Sequence, residues 1–198
     1  MTEPPKPVRG VLPWVPEDGM NVLRNVRAGW SYAHGAPGPD AATPVLSWIG
    51  DQRIAISGVP AAAAVARLAD QGVTHVVNCR PRLDVWWAGD LTAERAAFGP
   101  AQVAHAPMQD HGLRQRPALW APAACFAARV LDDQPQAGVL IHCTAGMHRS
   151  VMVAYAVLRL RGHDRAQAAD LVLHYRPQAE LVPAYVRSVE RWLPTATS

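Results

Sequence analysis

The stretch Val139-Leu-Ile-His-Cys-Thr-Ala-Gly-Met-His-Arg-Ser150 decides how this chain of 198 residues is read. Val139–Ile141 is a short apolar run that predicts a buried strand. Arg149–Arg161 is apolar almost all round, through Val151, Met152, Val153, Tyr155, Val157, Leu158 and Leu160, and predicts a central buried helix. Between them lies a loop of small residues. Such a strand, loop and helix N-terminus form an anion site, because loop and first-turn N–H groups have no intrahelical partner and the helix dipole favours negative charge. Cys143 stands at the strand end and Arg149 six positions later, so the loop can curl until its amides and the planar guanidinium converge on one oxyanion, a geometry that phosphate fits. The same surroundings favour Cys143 as thiolate, since cysteines at helix N-termini or beside Arg fall to about 3.5–7.5 from about 8.5. A thiolate facing bound phosphorus is a nucleophile.

Outward from this loop the chain alternates strands with helices. Val45–Ile49 and Arg53–Ile56 read as short strands around Gly50-Asp51, Pro60–Gln71 as an Ala-rich helix ended by Gly72, and Val73–Asn78 as a strand covered on both faces. Residues 80–100 read as irregular with a short helix at Leu91–Phe98, and Gln102–Ala106 as a further strand. Leu119, Ala123, Phe126 and Val130 at helical spacing predict a helix over 118–133, broken by Gln134–Gly138. Helices at Asp164–His174 and Val182–Leu193, separated by Arg176-Pro177, complete an α/β domain whose ligands belong beyond the C-terminal ends of its strands.

Residues 1–43 are dense in Pro and Gly, which predicts an extension with little regular structure. Trp14, Trp30 and Tyr32 within it argue that it packs on the catalytic domain, residues 44–198. Hydrophobic residues make up 49% and charged residues 18%, which excludes a disordered chain and implies a packed globule. Lys plus Arg number 19 against 16 for Asp plus Glu, and this net +3 favours an anionic ligand without demanding nucleic acid. Cys79, Cys125 and Cys143 cannot pair completely and lack the CxxC spacing of a structural zinc site, so a reducing compartment is expected. With no signal-peptide h-region and no long apolar run, the expectation is a soluble cytoplasmic protein without membrane insertion.

His142-Cys143-Thr144-Ala145-Gly146-Met147-His148-Arg149-Ser150 resembles the HCxxGxxRS signature of cysteine-dependent protein tyrosine phosphatases. Trp48-Ile-Gly50, Gly72–Asn78, Ala106-Pro-Met-Gln-Asp110 and Tyr175-Arg-Pro177 fall in the order of the dual-specificity branch, over about Val45 to Leu193. The resemblance implies a central mixed sheet flanked by helices, and a phosphatase acting on protein phosphotyrosine, phosphoserine or phosphothreonine with no metal or cofactor. It implies Cys143 as the nucleophile forming a phosphocysteine, and Thr144, Ala145, Gly146, Met147, His148 and Arg149 as the phosphate-binding loop. Asp110 would be the general acid, with His111 as its neighbour, Ser150 would assist release of the phosphoenzyme, and His142 would fix the loop. Cys79 is a candidate redox partner of Cys143, as in family members with a second cysteine near that strand end.

The chain departs from the common pattern at His148, where a small residue is more usual; the larger ring narrows the pocket or adds positive charge. Thr144, Ala145 and Met147 supply no cation in the loop, which disfavours a lipid headgroup as substrate. Trp86 and Trp87 read as packing residues ahead of a substrate-side apolar patch, Cys125 as a core residue, and Arg114 and Arg116 either as phosphate-steering or as loop-solvating charges. Two alternatives stay open: a phosphatase acting on a non-protein phosphate ester, and a phosphate-binding module with little turnover. A sulfurtransferase or arsenate reductase is disfavoured by Gly146, Ser150 and Asp110.

Overall fold

Three apolar runs, Ile54–Ser57, His75–Asn78 and Val139–His142, are buried at every position and form the centre of one sheet. The structure is a computed structural model that describes residues 45–196. Its strands are β1 (Ser47–Trp48), β2 (Ile54–Ser57), β3 (His75–Asn78), β4 (Val103–His105) and β5 (Val139–His142), in the order β1-β2-β5-β3-β4. β1 runs antiparallel to β2, and the remaining pairings are parallel, so the sheet is mixed. In register, Ser57 and Asn78 flank His142 from either side, which leaves Cys143 at the C-terminal edge of the central strand.

The period-two alternation of a strand divides these residues between two cores. Ile54, Ile56, Val77, Cys79, Ile141 and Cys143 face one cluster, and Ala55, Val76 and Leu140 face the other. The helices are α1 (Ala62–Val65), α2 (Arg82–Ala88), α3 (Asp90–Phe98), α4 (Pro117–Asp133), α5 (Arg149–Leu160), α6 (Arg165–Tyr175) and α7 (Pro183–Ala196). α4 and α5 cover the first face, α6 and α7 pack on α5, and α3 covers β3 and β4 from the other side. Every residue of α5 from Arg149 to Leu158 is buried, as its all-round apolar sequence predicts. α6 begins on a capping box in which the Asp164 carboxylate accepts the Gln167 amide and the Gln167 side chain accepts the Asp164 amide.

Two expectations are corrected. The helix expected over Pro60–Gln71 is α-helical only at Ala62–Val65 and continues as a 3₁₀ helix over Ala66–Gln71, ending at Gly72 with φ +86°. Residues 80–100, expected to be irregular apart from a short helix at Leu91–Phe98, hold that helix as α3 and also α2 before it, with Gly89 at φ +68° between them. Apolar periodicity could not reveal α2, because it buries Val85 alone and turns Trp86 and Trp87 outward. The expected extension over residues 1–43 lies outside the described residues. Among those described, no helix is long and apolar enough to cross a membrane.

Candidate active site

The loop between β5 and α5 is held with its carbonyls turned outward. The Val59 amide donates to Thr144 O at 3.1 Å and the Glu180 amide to Met147 O at 2.9 Å. Arg176, 4% exposed, donates from Nε to Gly146 O and from Nη2 to Ala145 O at 3.4 Å, while its Nη1 reaches Ile56 O and Ser47 Oγ. Four successive carbonyls are therefore occupied on the outside, and a peptide whose C=O points outward directs the neighbouring amide toward the interior. Gly146, at φ +70°, is required here: a Cβ would collide with the Ser57 carbonyl and the Arg176 guanidinium.

Cys143 lies at the base of this curl, 1% exposed. Its Sγ accepts the Gly146 amide at 3.2 Å and lies 3.4 Å from Ser150 Oγ. Burial alone would raise the thiol's pKa, but the Arg149 guanidinium and hydrogen bonds from the Ser150 hydroxyl and amide bring it down to about 7. Arg149 is itself buried; Nη2 donates to Thr144 Oγ1 at 3.2 Å and Nη1 to Met108 O at 3.4 Å. Its Nε makes no hydrogen bond and lies 3.5 Å from Asp110 Oδ2, a charge contact without hydrogen-bond geometry. A buried guanidinium beside a thiol at the focus of loop amides can receive an oxyanion and present sulfur to its central atom.

Asp110 reaches this centre from the segment between β4 and α4. The Tyr185 hydroxyl donates to Asp110 Oδ1 at 3.1 Å, and His148 Nδ1 lies 3.1 Å from Oδ2. Burial opposes the charged carboxylate, yet His148, Arg149 and Tyr185 together hold its pKa below the ordinary carboxylate range. His148 moves the other way: burial would lower it, but Asp110 and then Glu180 raise it.

On the opposite side of the sheet His142 Nε2 lies 2.8 Å from Glu94 Oε1, both side chains wholly buried. Burial would depress the imidazolium, and the Glu94 charge overcomes it, so the His142 pKa is raised. Asn78 Nδ2 donates to Asp90 Oδ2 at 2.9 Å and to Glu94 Oε2 at 3.1 Å, and Arg80 pairs with Asp90 at 3.0 Å. This network braces the strand end immediately before Cys143. Cys79 occupies the matching position after β3: its amide donates to His142 O at 2.8 Å, and it faces the same core as Cys143. Burial and the neighbouring Cys143 charge push its thiol well above the ordinary value.

Thus Cys143, Thr144, Ala145, Gly146, Met147, His148, Arg149, Ser150 and Asp110 are gathered at one place, with Cys79 beside it. His111 is turned to its own loop, where Nδ1 accepts the Leu113 amide, and Arg114 and Arg116 are exposed. Trp86 and Trp87, read as core or surface packing residues, are 72% and 79% exposed and stack edge to face on each other, so they pack at the surface and not in the core. Cys125, expected in the core, is half-buried beside a separate cleft of about 540 Å³. Sequence reading missed the parts played by Glu94, Arg176, Glu180 and Tyr185. An acidic pair four apart at Asp90 and Glu94 was a usable signal for the first, and the Tyr175-Arg-Pro177 segment for Arg176; Glu180 and Tyr185 come from distant segments and carry no local one. Among the described residues no cluster of His, Cys, Asp and Glu could hold a metal ion.

No protein-family model matches the chain, and no curated protein matches it. Solved structures do. Kinase associated phosphatase, with its catalytic-site cysteine substituted by serine, aligns with TM-score 0.66 and 16% identity, covering 80% of this chain and 99% of that one. Tk-PTP in the active form gives 0.61 and 22%, covering 74% and 94%. Human DUSP28 gives 0.59 and 23%, covering 79% and 100%. The mixed sheet, its flanking helices and these alignments agree with the resemblance drawn from residues 142–150: the chain has the fold of the dual-specificity-like, cysteine-dependent protein tyrosine phosphatases.

Proposed function

We propose that this chain is a metal-independent phosphatase that hydrolyses phosphomonoesters, with phosphorylated protein as substrate, through a phosphocysteine. One observation carries the reading: the Cys143 thiol, poised near neutrality, sits with a buried and incompletely paired Arg149 inside a loop whose four carbonyls from Thr144 to Met147 are tied outward. Cys143 Sγ attacks phosphorus while the bond to the leaving oxygen breaks, and Asp110 supplies that oxygen's proton. Arg149 and the loop amides take the charge of the equatorial oxygens. Water then attacks the phosphocysteine, its proton passing to the Asp110 carboxylate; the P–S bond breaks and Ser150 stabilises the departing thiolate. A dianionic phosphate that draws Arg149 to itself also relieves the pull that keeps Asp110 ionised, favouring its acid form in the complex. A reducing, cytoplasmic setting would keep Cys143 free for this chemistry.

Asp110→Asn tests the assignment. The loss in kcat is expected to be about 10²–10⁴-fold on alkyl phosphates and smaller on aryl phosphates, whose leaving oxygen needs less protonation. Steady-state assays on both classes read this directly, and equal losses would transfer the acid role elsewhere, His111 being next. Screening phosphopeptides against lipid and sugar phosphates tests the substrate class. One structural neighbour, PTPMT1, was solved in complex with PI(5)P, but Thr144, Ala145 and Met147 offer a polyanionic headgroup no cation in this loop.

Oxidation offers a separate expectation. Neighbouring strands lie about 4.8 Å apart, so in-register residues after β3 and β5 fall within the usual reach of a disulfide. Peroxide is expected to convert the Cys143 thiolate to a sulfenic acid, which the Cys79 thiol condenses with, releasing water and forming a disulfide that thiol reduces again. Peptide mapping would find the Cys79–Cys143 linkage in wild type, and Cys79→Ser would recover less activity on reduction. Equal recovery with no linked peptide would leave Cys79 an ordinary strand residue.

A further inference from the structure

His148 presents a carboxylate to each of its ring nitrogens. Nδ1 lies 3.2 and 3.1 Å from the two Asp110 oxygens, and Nε2 lies 3.3 Å from Glu180 Oε2. The ring is 7% exposed, Asp110 22% and Glu180 55%, so the three groups step outward from the buried loop to solvent. The arrangement is anchored at both ends: Tyr185 holds Asp110, and the Glu180 amide is bonded to Met147 O of the loop itself.

We propose that the proton Asp110 delivers is stored on His148, with Glu180 fixing the ring, so that the acid of this site is an Asp110–His148 pair. This rests on the reading of Asp110 as general acid. The proton balance closes over one turnover. In the resting pair the ring carries protons on both nitrogens and Asp110 is a carboxylate. As the leaving oxygen takes a proton from Asp110, the Nδ1 proton passes to Asp110, leaving a neutral ring whose Nε2–H donates to Glu180. When water attacks the phosphocysteine, its proton passes through Asp110 back to Nδ1. Glu180 therefore does for this ring what an orienting carboxylate does for any catalytic imidazole: it keeps one tautomer, with Nδ1 free to accept.

The charges facing the ring come from every segment around it. Asp110 lies on the segment before α4, Glu180 on the segment before α7, and Cys143 and Arg149 on the loop and α5; the Tyr185 hydroxyl of α7 reaches Asp110, and Arg176 is bonded to the adjacent Gly146 carbonyl. The carboxylates and the Cys143 charge favour the imidazolium, whereas Arg149 and Arg176 are engaged by Asp110 and by carbonyls. A pair that keeps its proton to the higher pKa of the ring works further into neutral pH than a lone carboxyl does.

The test compares wild type with His148→Asn, which retains an N–H donor for Asp110 but no titrating proton, and with Glu180→Gln. On an alkyl phosphate, His148→Asn is expected to lose about ten-fold or more in kcat at neutral pH, several-fold beyond its loss on an aryl phosphate. Its descending pH limb should move by about one unit toward acid, and that of Glu180→Gln by less in the same direction. NMR titration of the His148 ring supplies a readout independent of turnover: its pKa should lie above the ordinary value in wild type and fall in Asp110→Asn. Coincident pH profiles in wild type and His148→Asn, or a ring titrating at its ordinary value, would overturn the store. Absence of phosphate-ester hydrolysis by wild type would overturn the phosphatase reading and the store with it, whereas hydrolysis with coincident profiles overturns the store alone.

Discussion

Replacing Cys143 by serine is expected to abolish turnover while leaving phosphate binding intact. A serine hydroxyl at this position stays neutral at pH 7, whereas the thiol ionises at about 7 beside Arg149 and the Ser150 donors. The loss should be on the order of 10⁴–10⁶-fold in kcat, the range seen when a covalent nucleophile is removed. The outward-held carbonyls, the inward amides and Arg149 are unchanged by the substitution, so inorganic phosphate should still bind, and the absent thiolate charge should if anything tighten it. Phosphate release over hours and calorimetric titration with phosphate measure the two halves separately. Undiminished hydrolysis would exclude Cys143 as nucleophile; lost binding would mean that the sulfur holds the loop together.

Arg149→Ala carries the second large effect, because one side chain serves two purposes. Its fork neutralises the equatorial oxygens as charge redistributes, and removal of an arginine so placed in phosphoryl transfer costs about 10³–10⁵-fold. It is also the leading influence holding the Cys143 pKa down against burial, so its loss should raise that pKa and shrink the thiolate fraction at neutral pH. The two contributions separate by experiment. Thiolate absorbance against pH reports the upward shift, and kcat/KM measured well above the new pKa retains only the loss of oxyanion binding. Arg149→Lys should restore much of the thiol pKa but little of the rate, since an ammonium supplies charge without the planar fork. A thiol pKa that stays at about 7 in Arg149→Ala would place its cause in Ser150 and the loop amides instead.

The legibility of this chain follows the range of the forces involved. The run from Val139 to Leu160 was readable because each signal in it is local: an apolar strand, small loop residues and a helix apolar on every side, all within about twenty residues. The same holds for Gly72 at a left-handed helix end and Asp164 at a helix start. α2 was obscured because its inward face does not carry the apolar period on which such reading depends, and for α3 the helix at Leu91–Phe98 was legible while the polar side chains it buries were not. α2 buries Val85 and turns two tryptophans outward, and α3 buries Asp90 and Glu94 against Asn78 and His142.

The sequence by itself determined an α/β chain with a cysteine-centred anion loop at a strand-to-helix junction, because backbone geometry and residue type along one short segment suffice for that. Only the tertiary structure decided what surrounds the loop. The order β2-β5-β3 sets Ser57 and Asn78 on either side of His142 and thereby brings Glu94, 48 residues away, beneath the strand end. The packing of α6 and α7 on α5 brings Arg176, Glu180 and Tyr185 to its rim. These contacts join segments through a shared core, and hydropathy records that a side chain is buried without recording which distant partner it is buried against.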